Sequence, residues 1–138
     1  MKDMWIAGLS FRSGVRASVS YGDPAVIALA GELNSCTALV VTKAIEAVLE
    51  RSRSTRAIVL DLAEVTFLSV AGVQVLHAGV DLAAADQVTL RIALGSHTIV
   101  QRALTATGMA AVLDVYPDRR TALDAPAADD FLPFAWPS

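Results

Sequence analysis

The sequence predicts one α/β domain: a mixed, mostly parallel β-sheet of about five strands, opened by an N-terminal hairpin and covered by about four helices. Three observations predict it. Apolar runs of strand length alternate with helical stripes of roughly 10–15 residues, which is the order of βαβ units. Residues 57–62 form an apolar run closed by Asp61 and Glu64, with the non-alternating pattern of a strand buried on both faces. Val41, Ala44, Ile45 and Val48 recur at i, i+3, i+4 and i+7, while Lys43, Glu46 and Glu50 lie off that stripe.

The elements follow in order. Residues 1–15 read as a leader without a clear pattern. Residues 17–21 alternate as a short strand, Gly22-Asp23-Pro24 signals a turn, and 26–30 is a continuous apolar run, so the two strands pair as a hairpin. The first helix spans 37 to about 51, with Asn34 or Ser35 capping its first turn. After the buried strand, a second helix over 70–85 turns Val73, Leu76, Val80 and Ala83 or Ala84 inward. In 88–94, Val88, Leu90, Ile92 and Leu94 share one face, and Thr89, Arg91 and Ala93 the other.

Ser96 caps a third helix running to about Thr107, with Ile99, Ala103 and Leu104 on its buried side and Gly108 as its stop. A short strand over 112–116 and a helix opened by Pro117-Asp118 and running to about 125 complete a domain of residues 16–125. The tail, 126–138, holds three prolines and Asp129-Asp130, which oppose regular structure. Disorder is the default for such a terminus. Its aromatics, Phe131, Phe134 and Trp136, would equally let it dock on the domain or on a partner.

Composition excludes several classes. The chain has 138 residues, enough for one domain with a full core. It is 54% hydrophobic with mean hydropathy +0.52, so membrane insertion needs a test. Glu32 and Asn34 end the run that starts at Val26, and His77 and Asp81 interrupt the one over 73–80. A spanning helix needs about 20 nearly unbroken apolar residues, and none occurs, so no membrane partner is expected. Met1-Lys2-Asp3 precedes only a short apolar run, 5–9, before Arg12 and Arg16, which is not a signal-peptide pattern. A single cysteine, Cys36, allows neither an intrachain disulfide nor a multi-cysteine metal site, and a cytoplasmic location follows as the expectation.

Net charge is −3, and the 11 basic residues are scattered. Their densest cluster, 51–56, reads as an exposed helix end, so no nucleic-acid partner is expected. His77 and His97 lack a ligand partner at i+3 or i+4, and no metal site is expected. Asp61, Glu64, Asp81 and Asp86 have no paired-carboxylate spacing and read as strand and helix ends. No catalytic residues are assigned, no cofactor is implied, and the chain is not expected to be an enzyme.

Three segments together resemble the STAS family, named for sulfate transporters and anti-sigma factor antagonists. Gly31-Glu32-Leu33-Asn34 followed by Thr37-Ala38 is similar to that family's G-E-L-D-x-x-T-A. Residues 57–62 with Val65 and Phe67-Leu68 are similar to its buried strand and the loop after it. Ser69-Val70-Ala71-Gly72-Val73-Gln74-Val75-Leu76 stands where the family usually has D-S-[SA]-G-[LV]-x-[VL]-L. The resemblance implies a STAS-type fold and a partner-binding and phospho-switch region at Asn34, Ser69, Val70, Ala71 and Gly72. In such antagonists the serine at the start of the second helix is phosphorylated by a kinase-type anti-sigma factor. The unphosphorylated form binds that factor and frees a sigma factor, regulating transcription in bacteria. Phosphate adds about −1.5 to −2 charge and breaks a close-packed interface.

This chain departs from the motif at its informative position, where Val70 replaces the phospho-acceptor and Ser69 the aspartate. Ser69 reads as an N-cap for the second helix or as a phospho-acceptor displaced by one residue; the two roles are compatible. Val70 reads as the mark of a permanently competent antagonist or of a member using another input, and Gly72 as a site of close packing. Cys36 lies in the loop flanking this face; an unreactive packing residue is the ordinary reading, and a redox switch the sharper one. The resemblance also allows an adaptor subunit of a larger signalling or transport assembly. A nucleotide-binding module is less well matched, since no G-x-x-x-x-G-K-[ST] occurs and Gly95-Ser96 is only a minimal anion site. A homodimer stays open.

Overall fold

The computed structural model describes residues 3–5 as backbone, and residues 14–96 and 98–126 in full. Six strands form one sheet in spatial order β1 to β6: β1 Asp3–Trp5, β2 Val15–Ser20, β3 Ala25–Leu33, β4 Ala57–Leu68, β5 Thr89–Ala93 and β6 Val115–Tyr116. β1, β2 and β3 are antiparallel neighbours, while β3 to β6 run parallel. The helices are α1 Ala38–Arg51, α2 Val70–Ala84, α3 Thr98–Ala106 and α4 Arg119–Asp124, with a 3-10 turn over Met109–Ala111. The α/β class, the hairpin and the four helices are as the sequence predicts. The sixth strand, β1, pairs Trp5 with Ser18 and falls inside the segment read as a leader.

β4 is longer than the run 57–62 that announces it, because it bulges twice. Ala28 to Ala30 on β3 spans Asp61 to Glu64 on β4, and Gly31 to Glu32 spans Val65 to Phe67. Each extra residue lets the strand continue while Val65 and Leu68 still face inward. The main core lies between the sheet and α1, α2 and α3. Ile27, Leu29, Ile58, Leu60, Leu62, Leu90 and Ile92 meet Val41, Ile45, Val48, Val73, Leu76, Val100 and Leu104 there. Each such side chain contributes roughly 1.5–3 kcal/mol by leaving water.

The alternate residues of the same strands face the other way. Val26, Val59 and Ala93 pack with Ala122 into a second, smaller cluster, bordered by Tyr116 and Leu123. That is why 57–62 reads as an unbroken apolar run: α4 covers its outer face.

One side-chain placement goes beyond the sequence expectations and one differs from them. Arg91 faces outward from the main core, as alternation requires, but is only 3% exposed. Its guanidinium lies under α4 and donates to the carbonyls of Ala122 at 2.9 Å and Pro126 at 3.0 Å. In α3, Val100 and Leu104 are buried while Ile99 is half exposed, because the helix begins at Thr98 and turns its i, i+4 pair inward. The aromatic tail beyond Pro126 and His97 lie outside the described residues. No helix among the described residues is long and apolar enough to cross a membrane.

Candidate partner-binding site

β3 and β4 end side by side, with Leu33 paired to Leu68. One residue later the Ser69 N–H donates to the Leu33 carbonyl at 2.9 Å, so the chain leaves both strands at the same edge of the sheet. This carboxyl edge brings together the two segments singled out in the sequence, 31–38 and 69–76. In open α/β sheets this is also the edge where ligands and partners are bound.

The turn after β3 is held by its own side chains. Asn34 Oδ1 accepts from the N–H groups of Cys36 at 2.9 Å and Thr37 at 3.2 Å. The buried Thr37 hydroxyl donates to the Glu32 carbonyl at 2.7 Å and accepts from the Asn34 N–H at 2.9 Å. Asn34 therefore braces the turn and does not cap α1, whose N-cap position is Thr37 with no side-chain cap bond. The expected capping by Asn34 or Ser35 fails because the Asn34 oxygen is spent two and three residues on, in an Asx turn. Cys36 is exposed, which overturns the packing reading: Thr37 takes the inward place and leaves the thiol at the surface.

The start of α2 is built as local sequence demands. Ser69 is extended, with φ −84° and ψ 174°, and its hydroxyl accepts from the Gly72 N–H at 3.1 Å, an N-cap bond. Val70, the first helical residue, is 62% exposed, whereas Ser69 and Ala71 are half-buried. Gly72 is buried. A Cβ there would come within 2.6 Å of the Leu33 carbonyl oxygen and 2.8 Å of Leu68 Cδ1. Its hydrogen is what lets α2 sit against the end of β3.

Sequence patterning missed the apolar surface around these segments. Leu39 in the first turn of α1, Phe67 at the end of β4 and Ile99 in the first turn of α3 are exposed, like Val70, at this same edge. Only a large apolar residue falling off its helix stripe could have signalled Leu39. Exposed Glu32 stands opposite Phe67 in the β3–β4 register, and exposed Glu64 opposite Ala30. Two hollows of about 320 and 180 Å³ open instead at the opposite edge. The larger lies near Arg53 and Asp86, the smaller near Asp23 and Arg56. Among the described residues, no group of three or more His, Cys, Asp or Glu side chains gathers as a metal site.

The acids elsewhere have their own partners. Asp61 is not a strand end: it lies within β4, accepts from the Ala63 N–H at 2.9 Å and pairs with Arg119. Burial, then the hydrogen bond to Asp114, raises the Tyr116 phenol above its usual range. The Thr121 N–H holds the Asp118 carboxyl below its own.

The fold is shared with a solved structure. The crystal structure of an anti-sigma factor antagonist from Mycobacterium paratuberculosis superposes with a TM-score of 0.69 at 26% identity, covering 83% of this chain and 95% of that one. No curated protein matches the sequence. The family model described as Mlab, STAS domain matches residues 18–114, from β2 through the 3-10 turn to the threshold of β6. With the strand order, the paired exits at Asn34 and Ser69 and this match spanning most of its length, the chain belongs to the STAS domain family.

Proposed function

We propose that this protein is an anti-sigma factor antagonist of the bacterial cytoplasm. It binds a kinase-type anti-sigma factor at the carboxyl edge of its sheet, releases a sigma factor, and so regulates transcription by protein–protein contact. The observation that carries this reading is Val70: a large apolar side chain, 62% exposed at the N-terminus of α2, beside a serine whose hydroxyl is engaged as a cap. Exposed apolar surface of this kind marks interaction sites, and the antagonist from Mycobacterium paratuberculosis supports the class of partner. The protein acts by binding and not as an enzyme.

Valine offers no hydroxyl for phosphoryl transfer. An antagonist with valine at this position stays competent to bind unless Ser69 accepts the phosphate in its place. A protein that phosphate does not switch off also suits an adaptor subunit in a larger signalling or transport assembly, and Val70 favours that second reading.

Affinity purification of the tagged protein from its native host, with and without ATP and phosphatase, tests the choice, with phosphate mapped by mass spectrometry. Recovery of a kinase-type anti-sigma factor with unphosphorylated protein supports the antagonist. Phosphate on Ser69 keeps the switch but moves it one residue. Recovery of membrane-transport components in place of such a factor supports the adaptor.

A further inference from the structure

We infer that the chain's own tail, residues 127–138, seats in the smaller hollow at the amino edge of the sheet, beneath the end of α4. Asp129 and Asp130 face the guanidinium groups of Arg56 and Arg91 there, and Phe131 packs on the apolar wall. The inference is independent of what the carboxyl edge binds.

The hollow lies where the tail begins. Leu123 and Ala125 line it, three residues and one residue before Pro126, so the chain that follows starts at its rim. Pro24 and Ala57 continue the apolar wall on the strand side. At about 180 Å³ the hollow is smaller than the roughly 300–1,000 Å³ of pockets that hold small-molecule ligands. It suits a side chain on a tethered segment better. Twelve further residues extend up to about 40 Å, more than enough to turn back into it.

The hollow also calls for an anion. Arg91 lines it, is only 3% exposed, and donates to two neutral carbonyls. A buried cation without a counter-charge is costly. The acids nearby are engaged elsewhere. Asp61 pairs with Arg119, and Asp114 accepts from the Tyr116 hydroxyl. Asp23 is on the lining itself and accepts from the Arg56 N–H at 2.8 Å. Asp124 is exposed on α4, outside the lining. Two guanidinium groups and one carboxylate leave the hollow with a net positive charge.

The tail answers both features. Its charged side chains are Asp129 and Asp130, three and four residues past Pro126, and Phe131 follows them directly. Residues 6–13 are the other long stretch outside the described residues, and they bring Arg12 and no acid. A tail seated at the amino edge leaves Ser69 and Val70, at the opposite edge, open to a partner.

Amide spectra and hydrogen exchange of the full 15N-labelled chain test the assignment. D129K/D130K is expected to shift amides within residues 22–26, 56–58 and 89–91, all remote from the tail in sequence. It should also speed exchange in 119–124 by about two- to fivefold, the range of a partly exposed ion pair. F131S is expected to shift the same amides. Adding R56E to D129K/D130K should return part of both changes, because the exchanged charges pair again, and the four-variant cycle isolates that coupling.

Hollow amides unmoved by D129K/D130K or by F131S, or no coupling to R56E, would overturn the inference. Shifts centred on residues 33–40 and 68–73 would place the tail on the carboxyl edge and overturn it equally. If inorganic phosphate moves the hollow amides and D129K/D130K does not, the hollow takes a free anion and the tail is not its occupant.

Discussion

The Arg119 guanidinium donates through Nε to Asp61 Oδ2 at 2.8 Å, tying the last helix to the middle of β4 across 58 residues of sequence. The same carboxylate accepts from the Ala63 N–H next to the first bulge, so one acid organises both strand and helix. Arg91 completes the attachment from β5, through the carbonyls at the end of α4. A six-residue helix has too few internal bonds to persist alone. It is held in place by these contacts and by Ala122.

Loss of this attachment should be measurable. Arg91→Ala removes a buried cation and leaves two carbonyls without their donor, and should cost roughly 2–3 kcal/mol in denaturant unfolding. Arg91→Lys should recover little, since one ammonium does not reproduce a planar fork reaching two oxygens. Amide exchange in 119–124 should accelerate in both variants. Unchanged protection there would remove Arg91 from the attachment.

Asp61→Ala should cost more than Arg119→Ala. Arg119 is 48% exposed, and water screens what its removal loses, so about 1 kcal/mol or less is expected. Asp61 is nearly buried and also serves the Ala63 N–H, so its loss should approach roughly 1–3 kcal/mol. Thermal unfolding of the two variants side by side tests the order; equal effects would mean that the ion pair outweighs the backbone bond.

Gly72→Ala should destabilise the fold by about 1–3 kcal/mol, through overpacking against the Leu33 carbonyl oxygen and Leu68. Gly108 is the contrast. Nothing stands within 4 Å of a Cβ there, and the cost of Gly108→Ala comes from φ +77° alone, about 1 kcal/mol. Partner affinity should survive Gly108→Ala at temperatures where the variant is folded.

Ser69→Ala should cost about 1 kcal/mol through the lost N-cap, and Ser69→Asp should restore most of it. Stability alone does not separate cap from switch. If Ser69 is only a cap, the Ser69→Asp variant keeps its partner, whereas Val70→Asp, which places an unpaired charge in the contact, releases it. Pull-down with both variants reads the difference.

Asp118 predicts the acid limb of α4. Its folded carboxyl titrates below the ordinary 3.8 because the ionised form accepts from the Thr121 N–H. The stabilisation is therefore complete above that ordinary value and fades as pH falls through the lower folded one. Asp118→Asn keeps an acceptor at the cap without the titration. Protection of 119–124 should depend less on acid in Asp118→Asn than in the parent, and an identical acid profile would assign the dependence to other carboxylates.

Much of the architecture was legible because local patterns carry it. The stripe of α1, the N-cap at Ser69, the stop at Gly108 and the buried run of β4 each depend on neighbours within a few residues. The pattern failed where an outcome depended on residues far away in sequence. Ile99 and Val100 are both apolar, and only the position of α3 over β4 decided which one was buried. Asp61 looked like a strand end because neither the bulges that lengthen β4 nor Arg119 is local to it. Cys36 looked like core filler because the Asn34–Thr37 bonding that turns it outward involves rotamers and not composition.

The site divides along the same line. By itself the sequence determined the family and the two segments at Asn34 and Ser69, because their glycines, caps and apolar runs are short-range requirements of the backbone. Only the tertiary structure decided that Leu39, Val70 and Ile99, in the first turns of α1, α2 and α3, and Phe67, at the end of β4, are left exposed. Those side chains come from separate strand-to-helix connections, and parallel pairing of β3, β4 and β5 is what brings the connections together.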